Sequence, residues 1–110
     1  MGVGSRKADL QRRHFEWAAR IIRGLPLTLT PFVVTAAIKR IAGGNDGAGV
    51  TFPGYWQRRL TNIPGGYGDR SRYDLACEVA SIIGPANDAF DRARFLAACD
   101  PNVDVKWRSR

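Results

Sequence analysis

One histidine, two cysteines and two glycine-rich stretches are the first places to look for chemistry. His14 is the only imidazole in the chain, and an imidazole can act as a general base or metal ligand near neutral pH. A base needs a nucleophile and an orienting group, and no Ser-His-Asp or Cys-His spacing accompanies His14. It falls between Leu10 and Trp17 at helical spacing, which reads as a packing histidine. Cys77 and Cys99 cannot complete a four-ligand zinc site with a single histidine and no Cys-x-x-Cys. They read as two small buried thiols in a reducing compartment, with a disulfide between them left open. Gly44-Asn45-Asp46-Gly47-Ala48-Gly49 has the glycine content of a phosphate loop but not its Gly-Lys-Ser/Thr ending. It reads as a plain flexible loop. Asp46, Asp69, Asp74 and Glu78 are scattered, without the alternation of a calcium loop. The chain therefore reads as a non-enzyme with no cofactor and no metal.

Basic and aromatic residues carry more information. Tyr55-Trp56-Gln57-Arg58-Arg59, with Tyr67, Arg70 and Arg72 nearby, sets stacking rings beside guanidiniums that suit phosphate. The segment Lys106-Trp107-Arg108-Ser109-Arg110 repeats that chemistry. Trp and Arg also dominate the energetics of protein–protein interfaces. These ten candidate contact residues are thus Tyr55, Trp56, Arg58, Arg59, Tyr67, Arg70, Arg72, Lys106, Trp107 and Arg108. A packing role for Trp107, docked onto the fold, is the plainer alternative for the tail.

The elements that must position these residues are helical. Leu10, His14, Trp17, Ala18, Ile21 and Leu25 form one stripe of a helix over Arg6 to Arg23, ended by Gly24 and Pro26. Thr30-Pro31 predicts an N-cap and first turn for a second helix running to Gly43. Its apolar positions are Phe32, Val34, Ala37, Ile38 and Ile41, and it is the expected central core helix. Tyr55 to Leu60 suits a helix of one or two turns between the glycine-rich stretches. A third long helix is expected from Ser71 to Ile83, with Tyr73, Ala76, Cys77, Ala80 and Ile83 as its stripe. Gly84-Pro85 stops it, and Asn87 or Asp88 caps a last short helix carrying Phe90, Ala93, Phe95, Leu96 and Cys99. Val50-Thr51-Phe52 is the sole β-like stretch. The expected fold class is all-α: a small bundle of three longer helices and one or two short ones, with glycine-rich loops in the middle.

The chain has 110 residues, 45% of them apolar and 25% charged, which suits one globular domain across 1–110. Within it, 43–69 reads as a loop-rich insertion and 101–110 as a basic C-terminal arm. Lys+Arg number 17 against 10 Asp+Glu, for a formal charge of +7. That excess is segregated: residues 1–72 sum to +8, 73–104 to −4 and the last six to +3. A split of this kind favours one contact face over a uniformly sticky cation. No apolar run approaches the roughly 20 residues of a membrane span. Met1 to Lys7 runs straight into charge without a secretory apolar segment, so the expected setting is cytoplasmic.

Two strings taken together resemble a known group. Arg13-His14-Phe15-Glu16, followed by Ala18, Ala19, Ile21 and Ile22, opens the chain, and Asn87 with Phe90-Asp91-Arg92-Ala93-Arg94-Phe95-Leu96-Ala97-Ala98-Cys99 closes it. The pair resembles small helical proteins encoded by phages and prophages, with an HFE…IA…I opening and an NPRFDRxRFLxAC ending. The likeness covers roughly 10–24 and 71–99. It departs over 27–70, and Asn87-Asp88-Ala89 stands where the group has Asn-Pro-Arg. The resemblance implies no catalytic residues. It implies a phage protein, in the host cytoplasm, that occupies a host macromolecular partner, most sharply an inhibitor of a host defence complex of anti-CRISPR type. Its partner would be a protein or a ribonucleoprotein. A direct DNA- or RNA-binding regulator is the alternative, and a small structural subunit a third.

Overall fold

A computed structural model describes residues 9–104. The sixty or so residues that fold into helices do so for local reasons that are visible one helix at a time. In α1 (Arg12–Arg23) the Gln11 N–H donates to His14 Nδ1 at 2.9 Å, supplying the first turn with an acceptor. Its buried face is His14, Phe15, Ala18, Ala19, Ile21 and Ile22, while Arg12, Arg13 and Arg20 stay outside. The helix expected from Arg6 begins only at Arg12, because Gln11 is extended and 9–10 form a bend ahead of it; residues 6–8 lie outside the described residues.

In α2 (Pro31–Gly43) Thr30 Oγ1 accepts from the Val33 N–H and Pro31 opens the first turn. Val34, Ala37, Ile38, Ile41 and Ala42 are buried at helical spacing. Phe32, expected in that stripe, is 81% exposed. Gly44 stops the helix at φ +67°, where a Cβ would lie 2.1 Å from the Val50 carbonyl oxygen. In α4 (Arg72–Ile83) Ser71 Oγ accepts from the Asp74 N–H. Its inward face is Leu75, Ala76, Val79, Ala80, Ile82 and Ile83, so Tyr73 is displaced from the expected stripe and faces solvent. The last helix, α5 (Arg92–Ala98), begins later than expected, with Asp91 as its cap. Asn87 instead bonds outward, its Nδ2 donating to the Leu10 carbonyl at 2.9 Å.

Two short strands correct the all-α expectation. The fold is mostly helical, but β1 (Thr28–Leu29) pairs antiparallel with β2 (Arg70–Ser71), Thr28 opposite Ser71 and Leu29 opposite Arg70. The Arg72 N–H extends the ladder to the Leu27 carbonyl. The ribbon fixes the α1–α2 link against the start of α4. At two residues per strand there is no alternation for a sequence reading to catch. Val50, the expected β-like residue, makes only an isolated bridge to Asn45.

Packing runs in a circuit. α1 lies against α2 and α4, and α3 (Gly54–Thr61) closes the ring between α2 and α4, while α5 sits across α1 and α4. Thus α1 and α4, each with three helical neighbours, hold the centre that the sequence reading gave to α2. The segment 43–69 is part of this core, because Val50, Phe52, Trp56, Leu60 and Ile63 are all buried in it. At the far end Arg23 gathers chain ends: its guanidinium donates to the carbonyls of Asp100 at 3.0 Å, Val103 at 2.9 Å and Pro101 at 3.3 Å. These are carbonyls at and beyond the C-terminus of α5, which a fixed cation satisfies well.

Candidate partner-binding face

The short helix α3 is amphipathic on an eight-residue scale. Trp56 and Leu60, four apart, point inward and are buried. The Trp56 indole N–H donates to Asp9 Oδ2 at 3.3 Å, and Gln57 Nε2 to the Phe52 carbonyl at 2.8 Å. These anchors set the opposite side outward. Tyr55, Arg58 and Arg59 are exposed together there, at the three- and four-residue spacings that place side chains on one face.

That face is internally organised. Arg59 Nη1 donates to the Tyr55 hydroxyl at 2.9 Å, and the guanidinium carbon stands 5.8 Å from the Tyr55 ring centroid. A cation near an aromatic face at that range is held by the ring quadrupole. The Tyr55 ring meets Trp56 edge-on at 4.9 Å, which couples the outer ring to the buried one. Arg58 Nη1 lies over Gly54, 3.5 Å from where a Cβ would stand, an ordinary contact distance. No carboxylate lies within Gly54–Thr61. Both cations sit in the half of the helix where the macrodipole favours them.

The other candidate residues have internal duties. Trp56 is core. Tyr67 is half-buried, and its hydroxyl donates to the Thr61 carbonyl. The Arg70 side chain is 7% exposed; it ion-pairs with Glu78 and donates to the carbonyls of Gly65, Gly66 and Gly68. It thereby ties down the second glycine-rich loop. Arg72 Nη1 donates to the Leu25 carbonyl at 2.9 Å. Lys106, Trp107 and Arg108 lie outside the described residues. Among the described residues the solvent-facing candidates are therefore Tyr55, Arg58 and Arg59. The signal that separates Trp56 from them was in the sequence: Phe52, Trp56 and Leu60 recur every fourth position. Nothing in the sequence marks Arg70 and Arg72 as inward, since their partners, backbone carbonyls and for Arg70 also Glu78, are assembled by the fold.

The groups with catalytic potential are likewise engaged. His14 is buried, with Nδ1 accepting from Gln11, Nε2 against the Thr51 carbonyl at 3.1 Å, and its ring edge-on to Phe52. An acceptor role at Nδ1 puts the proton on Nε2. The first glycine-rich loop is folded on itself: Asn45 and Val50 exchange backbone bonds and Thr51 Oγ1 donates to Asp46 at 2.7 Å. Arg13 Nε reaches its Gly49 carbonyl at 2.7 Å. Cys77 and Cys99 are free thiols. Burial pushes the Cys99 thiol up to about 12, far from a nucleophilic thiolate. A hydrogen bond to Cys77 raises the exposed Tyr73 phenol above its usual 10.0. Among the described residues no three His, Cys, Asp or Glu side chains come together as metal ligands. Also among them, no helix is long and apolar enough to cross a membrane.

Leu27, Phe32 and Tyr73 are exposed apolar residues that the sequence reading did not single out for contact. Two of them border a cleft between α4 and α5. No protein-family model matches the chain, and no match was found among curated proteins or solved structures.

Proposed function

We propose that this chain is a non-enzymatic binding protein whose α3 face docks on an anionic macromolecular surface. The observation behind this reading is the trio Tyr55, Arg58 and Arg59, exposed side by side on a helix that has no carboxylate and is braced from within by Trp56. A ring and two guanidiniums on one rigid face suit phosphates with adjacent bases, or an acidic protein patch. With the phage-like opening and closing strings, the sharpest form is an inhibitor of a host defence complex that carries a guide RNA, of anti-CRISPR type. The chain would act by occupying that complex in the host cytoplasm.

Direct binding of free DNA or RNA is the second reading, favoured by the Tyr55–Arg59 pair as a stacking platform. One experiment separates them. The double variant R58E/R59E and the parent chain are compared for capture of partners from lysate, with and without nuclease, and for binding to labelled single-stranded RNA. A nuclease-resistant protein complex that the variant loses, together with restored immunity in a plaque assay, supports the inhibitor. Loss of RNA binding alone supports the second reading. Equal behaviour of variant and parent in both assays removes the α3 face from function.

A further inference from the structure

The cleft between α4 and α5 holds about 520 Å³, within the roughly 300–1,000 Å³ typical of small-ligand sites. Its two ends differ in chemistry. Arg92, at the start of α5, donates to the Ser81 hydroxyl near the end of α4 at 3.3 Å. The two helices thus run antiparallel, and the end of α5 lies beside the start of α4. Arg72 opens α4 and Asp100 follows α5, so both line the same end of the cleft. Toward the other end the walls are Ala76 on α4 and Ala93 and Ala97 on α5, whose short side chains keep a trough open. Leu27 and Tyr73 stand at its rim, 66% and 61% exposed, so an apolar group laid in the trough takes their surface from water. The Tyr73 ring suits a second ring as its neighbour.

The charged end decides what kind of molecule fits. Arg72 Nη1 donates to the Leu25 carbonyl, and Asp100 Oδ1 accepts from the Asn102 N–H. Among the described residues no ion pair joins Arg72 to Asp100. A guanidinium has about five N–H donors and a carboxylate about four acceptor sites, so both side chains have bonding capacity beyond these contacts. The segment that presents Asp100 is also held in place, because Arg23 Nη1 donates to the Asp100 carbonyl at 3.0 Å. A ligand with a carboxylate alone would be drawn to Arg72 and repelled by Asp100, and an amine alone would meet the reverse. A zwitterion satisfies both groups at once.

We propose that this cleft binds a free aromatic α-amino acid, with its carboxylate on Arg72, its ammonium on Asp100 and its ring in the alanine-lined trough beside Tyr73. The site is separate from the α3 face and holds whether or not that face binds an anionic partner.

The test is an amide NMR titration of the isotope-labelled full chain. L-Phenylalanine is compared with phenylpropionate and phenylethylamine, which keep the ring and carry one charge each. The expected result is a saturable shift of the Ala76, Ala93, Ala97 and Asn102 amides with phenylalanine, at an affinity at least about tenfold above either analogue. Asp100→Asn retains the oxygen that accepts from Asn102, and should weaken phenylalanine binding about tenfold without weakening phenylpropionate. Ala97→Leu fills the trough and should abolish binding, while unmoved α3 amides verify that the fold is kept. No saturable shift with phenylalanine in the parent chain overturns the proposal. So do equal affinities for all three compounds, or phenylalanine binding that is indifferent to both substitutions.

Discussion

At His14 both ring nitrogens are engaged, Nδ1 by the Gln11 N–H and Nε2 at the Thr51 carbonyl. Replacing it with Ala leaves a cavity against Phe52 and removes a partner from two backbone groups. The expected loss is about 2–4 kcal/mol in urea unfolding; a loss under about 1 kcal/mol would refute the bridging role. Cys99 makes a different prediction. Its pKa is raised from 9.0 to about 12 by burial, so the folded chain holds a proton that the unfolded chain gives up. The stability this represents is complete below pH 9 and declines as pH rises toward 12. Cys99→Ala should therefore flatten the fall of stability with pH across that window, read by denaturant midpoints for parent and variant. His14 was legible from its place in an apolar stripe. The burial of Cys99 and the free state of both thiols match the reading of the sequence, whereas the partial exposure of Cys77 does not.

The helices differ in how openly the sequence announces them. Thr30-Pro31 and Gly43-Gly44 bracket α2 because cap, first turn and stop are local chemistry. The ribbon β1–β2 is the opposite case, since its pairing joins residues about forty apart and rests on backbone groups that any side chain could carry. Similarly, Arg70 and Glu78 meet only because β2 runs into α4. Two glycine substitutions measure what loop geometry requires. Gly44→Ala meets both a left-handed φ of +67° and the Val50 carbonyl, whereas Gly66 has φ +72° with open space around it. Gly66→Ala should cost only the conformational strain, about 1 kcal/mol, and Gly44→Ala clearly more. Equal thermal shifts for the two would contradict the close approach at Val50. For α3, Trp56→Ala should destabilise by about 3–5 kcal/mol, while R58E/R59E should leave the unfolding midpoint near that of the parent.

Over the whole molecule, charge and core follow different maps. The described residues hold 12 basic and 10 acidic side chains, so five of the seven excess positive charges belong to 1–8 and 105–110. Of the +8 carried by residues 1–72, the described residues 9–72 hold +6, 10 basic side chains against 4 acidic. If α3 contacts two phosphates, R58E/R59E should reduce the log–log salt slope of single-stranded RNA binding by about 1.4. Removal of 105–110 should leave the contribution of α3 intact, and a binding assay across a salt series distinguishes the two. The link from Arg23 to the Val103 carbonyl spans 80 residues of chain. A ribosome adds about 5–20 residues per second, so roughly 4–16 s pass between making the guanidinium and making its last acceptor. For that interval the α1 surface destined for α5 has no cover, and the nascent chain is open to chaperones or to self-association. Folding of this small bundle must accordingly wait for its final helix, and its yield in a cell should depend on how fast translation delivers residues 92–103.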